Sequence, residues 1–286
     1  MKKHILLLFT IIWATACNAQ KGKHTFSETI SKEYTVEPNS TLALYNLHGD
    51  VEVEGYDGNV VKIEIKKTIS AKTEALLNEG KSNFLLNFEK GTDSLIVYIS
   101  EPWDTRPNRN YKKQDWQNRK PIEYQVELDY KVRIPNSLNL RASTVNGGDV
   151  TVRNVAGLLH VNNVNGGIEI QNAQATTRAH TVNGNVTVNY LKNPLGASSY
   201  HTINGTINVS YQADLSADLT FKSMNGEYFT EFANYKLMPS EVEQNNVKSG
   251  NGTRYKVSSR SPIRIGNGGP KLKFETLNGN IYIKKS

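Results

Sequence analysis

From Leu42 onward, apolar and polar positions alternate along much of this chain in short runs rich in β-branched residues. Val150-Thr151-Val152, Ile168-Glu169-Ile170, Val186-Thr187-Val188, Ile207-Asn208-Val209 and Ile281-Tyr282-Ile283 are the clearest. A period of two predicts strands with one buried face. Each run follows an Asn-Gly pair, at Asn146, Asn165, Asn183, Asn204, Asn225 or Asn278, or closely precedes the next. The first four steps between these pairs are 19, 18, 21 and 21 residues and the last is 53. Before each Asn stands an apolar residue (Val145, Val164, Val182, Ile203, Met224, Leu277), and before that a small polar one (Thr144, Asn163, Thr181, Thr202, Ser223, Thr276).

A fixed period near 20 predicts a solenoid in which each repeat is one coil. A string of hairpins with Asn-Gly turns is the competing arrangement. It ranks second, because the segment before each Asn-Gly is short and each period has enough residues to travel round and return in parallel. In a coil the Asn-Gly pair is a corner whose glycine accepts positive φ. Val182 and Ile203 are expected to point inward, and stacked corner asparagines can bond along the ladder.

The same phrase occurs early, in Leu42 to Val53, with His48-Gly49 in place of Asn-Gly. Between this rung and Asn146 the pattern changes. Ser70 to Glu79 predicts a short helix capped by Ser70 and stopped by Gly80. Phe84 to Phe88 and Ser94 to Ile99 predict a hairpin, and Tyr124 to Ile134 predicts a strand. The expected organisation is a signal peptide over 1–19 and an all-β solenoid domain over 24–286. Within it, 32–69 are first rungs, 70–129 an insertion carrying the helix, the hairpin and a basic-aromatic loop, and 130–286 the Asn-Gly repeats.

Tyr130-Lys131-Val132-Arg133-Ile134-Pro135-Asn136-Ser137-Leu138-Asn139-Leu140, followed by Thr144-Val145-Asn146-Gly147-Gly148-Asp149-Val150-Thr151-Val152, resembles the DUF4097 family of bacterial candidate adhesins. The likeness extends over most of residues 32–286. It implies a right-handed, single-stranded parallel β-helix-like solenoid in the cell envelope, with no catalytic residues. The chain departs from the family pattern in Trp103–Lys120 and between Asn225 and Asn278.

Charge and composition add an address. Met1-Lys2-Lys3-His4 is a short basic start, Ile5 to Trp13 an apolar run too short to span a bilayer, and Ala14 to Gln20 a run of mostly small residues, the plan of a secretory signal. Cleavage before Cys17, with lipid attached to that cysteine, and cleavage after Ala19, which discards it, both fit. Either way the expected location is the periplasm, outer membrane or cell surface. Cys17 is the only cysteine, so no disulfide holds the domain. The net charge of +7 is spread along the chain and does not by itself indicate nucleic acid.

Candidate chemistry is sparse. His180 and His201 each lie three residues before a corner Asn, so coils stack them. The aligned residues elsewhere are Ser143, Asn162, Lys222 and Glu275, so no recurring third ligand for a metal is expected and no cofactor is implied. The motifs of serine hydrolases, phosphate-binding loops and zinc proteases are missing. The segment with most binding character holds Trp103, Arg106, Arg109, Tyr111, Lys112, Lys113, Trp116, Arg119 and Lys120. Aromatics among cations suit glycans or lipid headgroups, and the same segment could instead cap the open end of the solenoid. The expectation is a non-enzymatic envelope module, an adhesin or binding scaffold. The alternatives are a carbohydrate-active enzyme on the same fold and a structural or signalling partner of an envelope regulator. The expected partner is a glycan or another envelope component, with no nucleic acid and with membrane contact only through a lipid at Cys17.

Overall fold

The computed structural model describes residues 23–107, 121–239, 241–249 and 252–286. The expected signal peptide and Cys17 lie outside them. Two large sheets face each other across one core. The first runs, in spatial order, β1 (His24–Thr35), β4 (Val60–Ala71), β7 (Tyr124–Pro135), β3 (Val51–Tyr56), β9 (Val150–Arg153), β11 (Ile168–Ala173), β13 (Val186–Tyr190), β15 (Ile207–Tyr211), β22 (Ile281–Lys285), β17 (Tyr228–Thr230). The second runs β18 (Tyr235–Leu237), β20 (Gly252–Ile265), β16 (Ala217–Lys222), β21 (Lys271–Glu275), β14 (Ser198–His201), β12 (Thr177–His180), β10 (Leu159–Asn162), β8 (Asn139–Ser143), β2 (Thr41–Tyr45), β6 (Ser94–Glu101), β5 (Leu85–Lys90), with β19 (Glu241–Ser249) paired to β20.

In the middle, each period contributes one strand to each sheet and the strands pair in parallel register. Ile168 lies beside Val150 and Val186, and Val161 beside Ala142 and Ala179. The ends differ. β1, β4 and β7 pair antiparallel, as do β16 with β20 and β5 with β6, so the sheets are mixed and not purely parallel. The 53-residue interval has a topological cause. After β17 the chain loops away through β18, β19 and β20. It then returns to insert β21 between β14 and β16, and β22 between β15 and β17. The corners therefore stack as His48, Asn146, Asn165, Asn183, Asn204, Asn278, Asn225.

Alternate residues of each strand fill the core: Val150 and Val152, Ile168 and Ile170, Val186 and Val188 from one side, Leu140, Leu159, Ala179, Tyr200 and Phe274 from the other. Small residues face large ones, and rings stack up the stack, Tyr200 on Phe274 at 4.9 Å and Tyr190 on Tyr211 at 5.0 Å.

At the corners the inward residue is the small polar one. Thr181 and Thr202 are buried, whereas Val182 and Ile203 are half-buried. The Thr181 hydroxyl donates to the carbonyl of Gly166 (2.9 Å) and Thr202 to Gly184 (2.8 Å), each one rung back. This corrects the inward placement of the apolar residue, because the buried corner carbonyls need a donor that valine cannot supply. Glycine is required there mainly by close approach. A Cβ on Gly184 would lie 2.1 Å from the Gly166 oxygen, and one on Gly205 2.0 Å from that of Gly184. The corner amides form a one-way ladder, each donating to the next: Asn225 to Asn278 (2.7 Å), Asn278 to Asn204 (2.7 Å), Asn204 to Asn183 (2.7 Å), Asn183 to Asn165 (2.8 Å) and Asn165 to Asn146 (2.9 Å).

The helix α1 spans Glu74–Asn83, not Ser70–Glu79. Residues up to Ala71 are held in β4 by antiparallel partners on both sides, so the helix starts only at Thr73, whose side chain accepts from the Leu76 amide. Gly80 lies inside the helix, buried where a Cβ would meet the Tyr124 ring at 2.8 Å, and does not stop it. Among the described residues no helix is long and apolar enough to cross a membrane.

Candidate binding face

The outward positions of the second sheet repeat at fixed offsets from the corner asparagines. Five residues before each corner stand Arg141, His160, Arg178, Ser199, Lys273 and Thr220, and strand pairing sets them side by side in that order. Three residues before each corner stand Ser143, Asn162, His180, His201, Glu275 and Lys222, again in one line. Chain order would set Lys222 after His201. The insertion of β21 places Glu275 there instead, with its carboxylate 3.9 Å from His201 Nδ1.

His180 and His201 meet edge to face with centroids 5.9 Å apart, and His180 Nε2 lies 2.9 Å from the Ser199 hydroxyl. Burial pushes the His180 pKa down to about 4, helped by His201, His160 and Arg178 and opposed by Glu275. The His160 pKa is lowered by burial first, then by Arg141 and Arg178. Among the described residues no group of three His, Cys, Asp or Glu is arranged to hold a metal.

Two adjoining cavities lie on this face, of about 270 and 390 Å³, sharing Arg141 and His160. Leu158, Thr176 and Arg178 border one, and Tyr45, Thr105, Pro107 and Asn162 the other. No Asp or Glu lines either. The start of the basic-aromatic segment forms part of the rim. Thr105 Oγ1 donates to the Tyr45 carbonyl at 2.7 Å. Arg106 lies over the Tyr98 ring, 3.7 Å from its centroid, and is paired with Asp104 (2.7 Å) and Glu89 (3.2 Å). Trp103 is half-buried. Arg109, Tyr111, Lys112, Lys113, Trp116, Arg119 and Lys120 lie outside the described residues.

A larger groove, about 740 Å³, lies on the first sheet among β1, β4, β7, β3 and β9. Its charges form the row Glu33, Lys62, Arg133, Glu54 and Arg153 across the strands, in which every cation has a glutamate on a neighbouring strand. Lys62 pairs with Glu33 at 3.7 Å and Arg133 with Glu54 at 4.0 Å. Arg141, His160, Arg178 and Lys273 were not singled out from the sequence. Their constant offset of five residues before the corner is the signal that could have found them.

No family model and no curated protein matches this chain. Among solved structures it is similar to a candidate cell adhesion protein of Clostridium sporogenes, at 10% identity over 91% of this chain and 100% of the other, with a TM-score of 0.39. A candidate adhesin of Bacteroides fragilis shares 12% identity over 91% of this chain and 97% of the other (TM-score 0.39). A candidate lipid-binding protein of Parabacteroides distasonis shares 12% over 89% and 96% (TM-score 0.34). At such scores these likenesses carry no argument about function.

Proposed function

We propose that this chain is a non-enzymatic binding module of the bacterial cell envelope, and that it binds an anionic envelope component through the outer face of its second sheet. The observation that carries this is the line of Arg141, His160 and Arg178 along two cavities with no acidic lining residue. Uncompensated cations on an open, rigid face concentrate polyanions from solution. A binding surface spread over several rungs is the ordinary use of a repeat wall.

The remaining features of the proposal rest on the sequence. They are a right-handed solenoid of the DUF4097 type, export through a signal peptide over 1–19, and membrane contact only through a lipid on Cys17. The basic-aromatic segment begins on the same rim, where Thr105 and Pro107 line one cavity.

The test is retention of the protein on immobilised acidic and neutral glycans across a salt series. Retention should be confined to the acidic ones, weaken with salt, and fall sharply in Arg141→Ser with Arg178→Ser. Release of reducing or unsaturated sugars from those glycans would overturn the non-enzymatic reading.

A further inference from the structure

The column five residues before each corner has a second regularity. Its full-time cations are Arg141, Arg178 and Lys273, all exposed, and they occupy every second rung, with His160 and Ser199 between them. Parallel strands lie about 4.8 Å apart, so successive cations are spaced at roughly 10 Å along a line across the strands. The spacing is held by in-register backbone pairing, so a ligand meets it preformed.

From this juxtaposition we propose that the face takes a linear acidic polysaccharide bearing one acid group per two sugars, laid across the rungs with successive acid groups on Arg141, Arg178 and Lys273. The proposal rests on the reading of this face as the binding surface. A chain of that kind repeats its charge at the interval at which the wall repeats its cations. The sugar between two acid groups would sit over His160 or Ser199, side chains that can hydrogen-bond hydroxyls. Leu158, about half exposed at 54%, and Pro107 offer apolar contact for the C–H faces of the sugars nearest Arg141. Single-stranded nucleic acid fits less well. Its phosphates recur at every nucleotide and its bases need aromatic platforms, and among the residues lining the two cavities Tyr45 is the one aromatic.

The test is the affinity of the full chain for hyaluronan oligosaccharides of increasing length, which carry one carboxylate per disaccharide. Affinity should climb until three carboxylates are present and then level off. Arg141→Ser, Arg178→Ser and Lys273→Ser should each weaken binding roughly fivefold, the scale of one exposed ionic contact. Lys192→Ser, an exposed cation off the column, should leave it unchanged. Polygalacturonate of the same length, with an acid group on every sugar, should gain less than about twofold, because each added charge falls between cations. Affinity that follows charge density alone, or tighter binding of oligothymidylate, would overturn the proposal. If the arginine variants still abolish retention on acidic glycans in that case, the binding face stands and only its ligand is wrong. If they leave retention intact, the face itself is misassigned.

Discussion

The two outer faces of this protein are built from the same wall and differ in how their charges are spent. On the first sheet the cations of the groove have glutamates on neighbouring strands: Lys62 beside Glu33, Arg133 beside Glu54. On the second, Arg141, His160 and Arg178 follow one another with no acid between them. The first face has the larger groove and the second the unspent charge. Opposite charges across strands stabilise a sheet by a few tenths of a kcal/mol to about 1 kcal/mol per pair. Cations left without a carboxylate forgo that gain and stay open to an anionic partner.

The deepest break strikes the wall that carries both faces. Val188→Asp places a carboxylate in the fully buried core and should abolish folding, seen as loss of β circular dichroism, at a cost above about 4 kcal/mol. Val182→Asp, at a half-buried corner, should leave a folded protein. Next comes charge reversal. Arg141→Glu with Arg178→Glu should cost two orders of magnitude or more in acidic-glycan affinity. Lys62→Glu with Arg133→Glu should leave affinity intact and lower stability by about 1 kcal/mol, because each new carboxylate opposes another. A milder change sharpens the contrast. Glu54→Gln releases Arg133 on the first face, which should then acquire weak, salt-sensitive glycan binding.

The smallest effect is on pH. His180 is neutral in the folded protein down to about pH 4 and titrates near 6.5 when unfolded, so the unfolded chain binds the extra proton between those values. Stability is therefore complete above about pH 6.5 and declines toward pH 4. The melting temperature should fall by a few degrees over that interval, less than full burial would give because the ring is partly solvated, and His180→Asn should flatten the decline. Burial is the first cause of the lowered His160 pKa and Arg141 and Arg178 the lesser ones, so a bound polyanion that offsets the arginines should raise it part of the way, and affinity should rise slightly as pH falls.

Much of the fold was legible because strands stacked in parallel register write themselves into period. The strands after each corner, the hairpin of β5 and β6 and the all-β class follow from alternation and turn residues alone. What was not legible depends on neighbours distant in the chain. Nothing local to Asn278 says that β21 and β22 insert below β16 and β17, and that insertion is what sets Glu275 beside His201. The helix start was misplaced because Ser70 is a good cap in isolation, while β1 and β7 claim the residues through Ala71 as strand. The corner valines looked like core by hydropathy. The deciding need is a hydroxyl or amide for the carbonyl one rung back, met by Thr181, Thr202 and Asn163. The cationic column is written at a constant offset, one residue per rung, and so stands out less in the sequence than the dense cations of 103–120.

The most direct test of the contrast between the faces is hydrogen–deuterium exchange with and without a saturating acidic glycan. Added protection should appear in peptides covering β8, β10, β12 and β21, whose outward residues include Arg141, His160, Arg178 and Lys273, while β3, β4 and β7 stay unchanged. Protection centred on β3, β4 and β7, with the second sheet unchanged, would contradict the account and make the self-paired face the binding one.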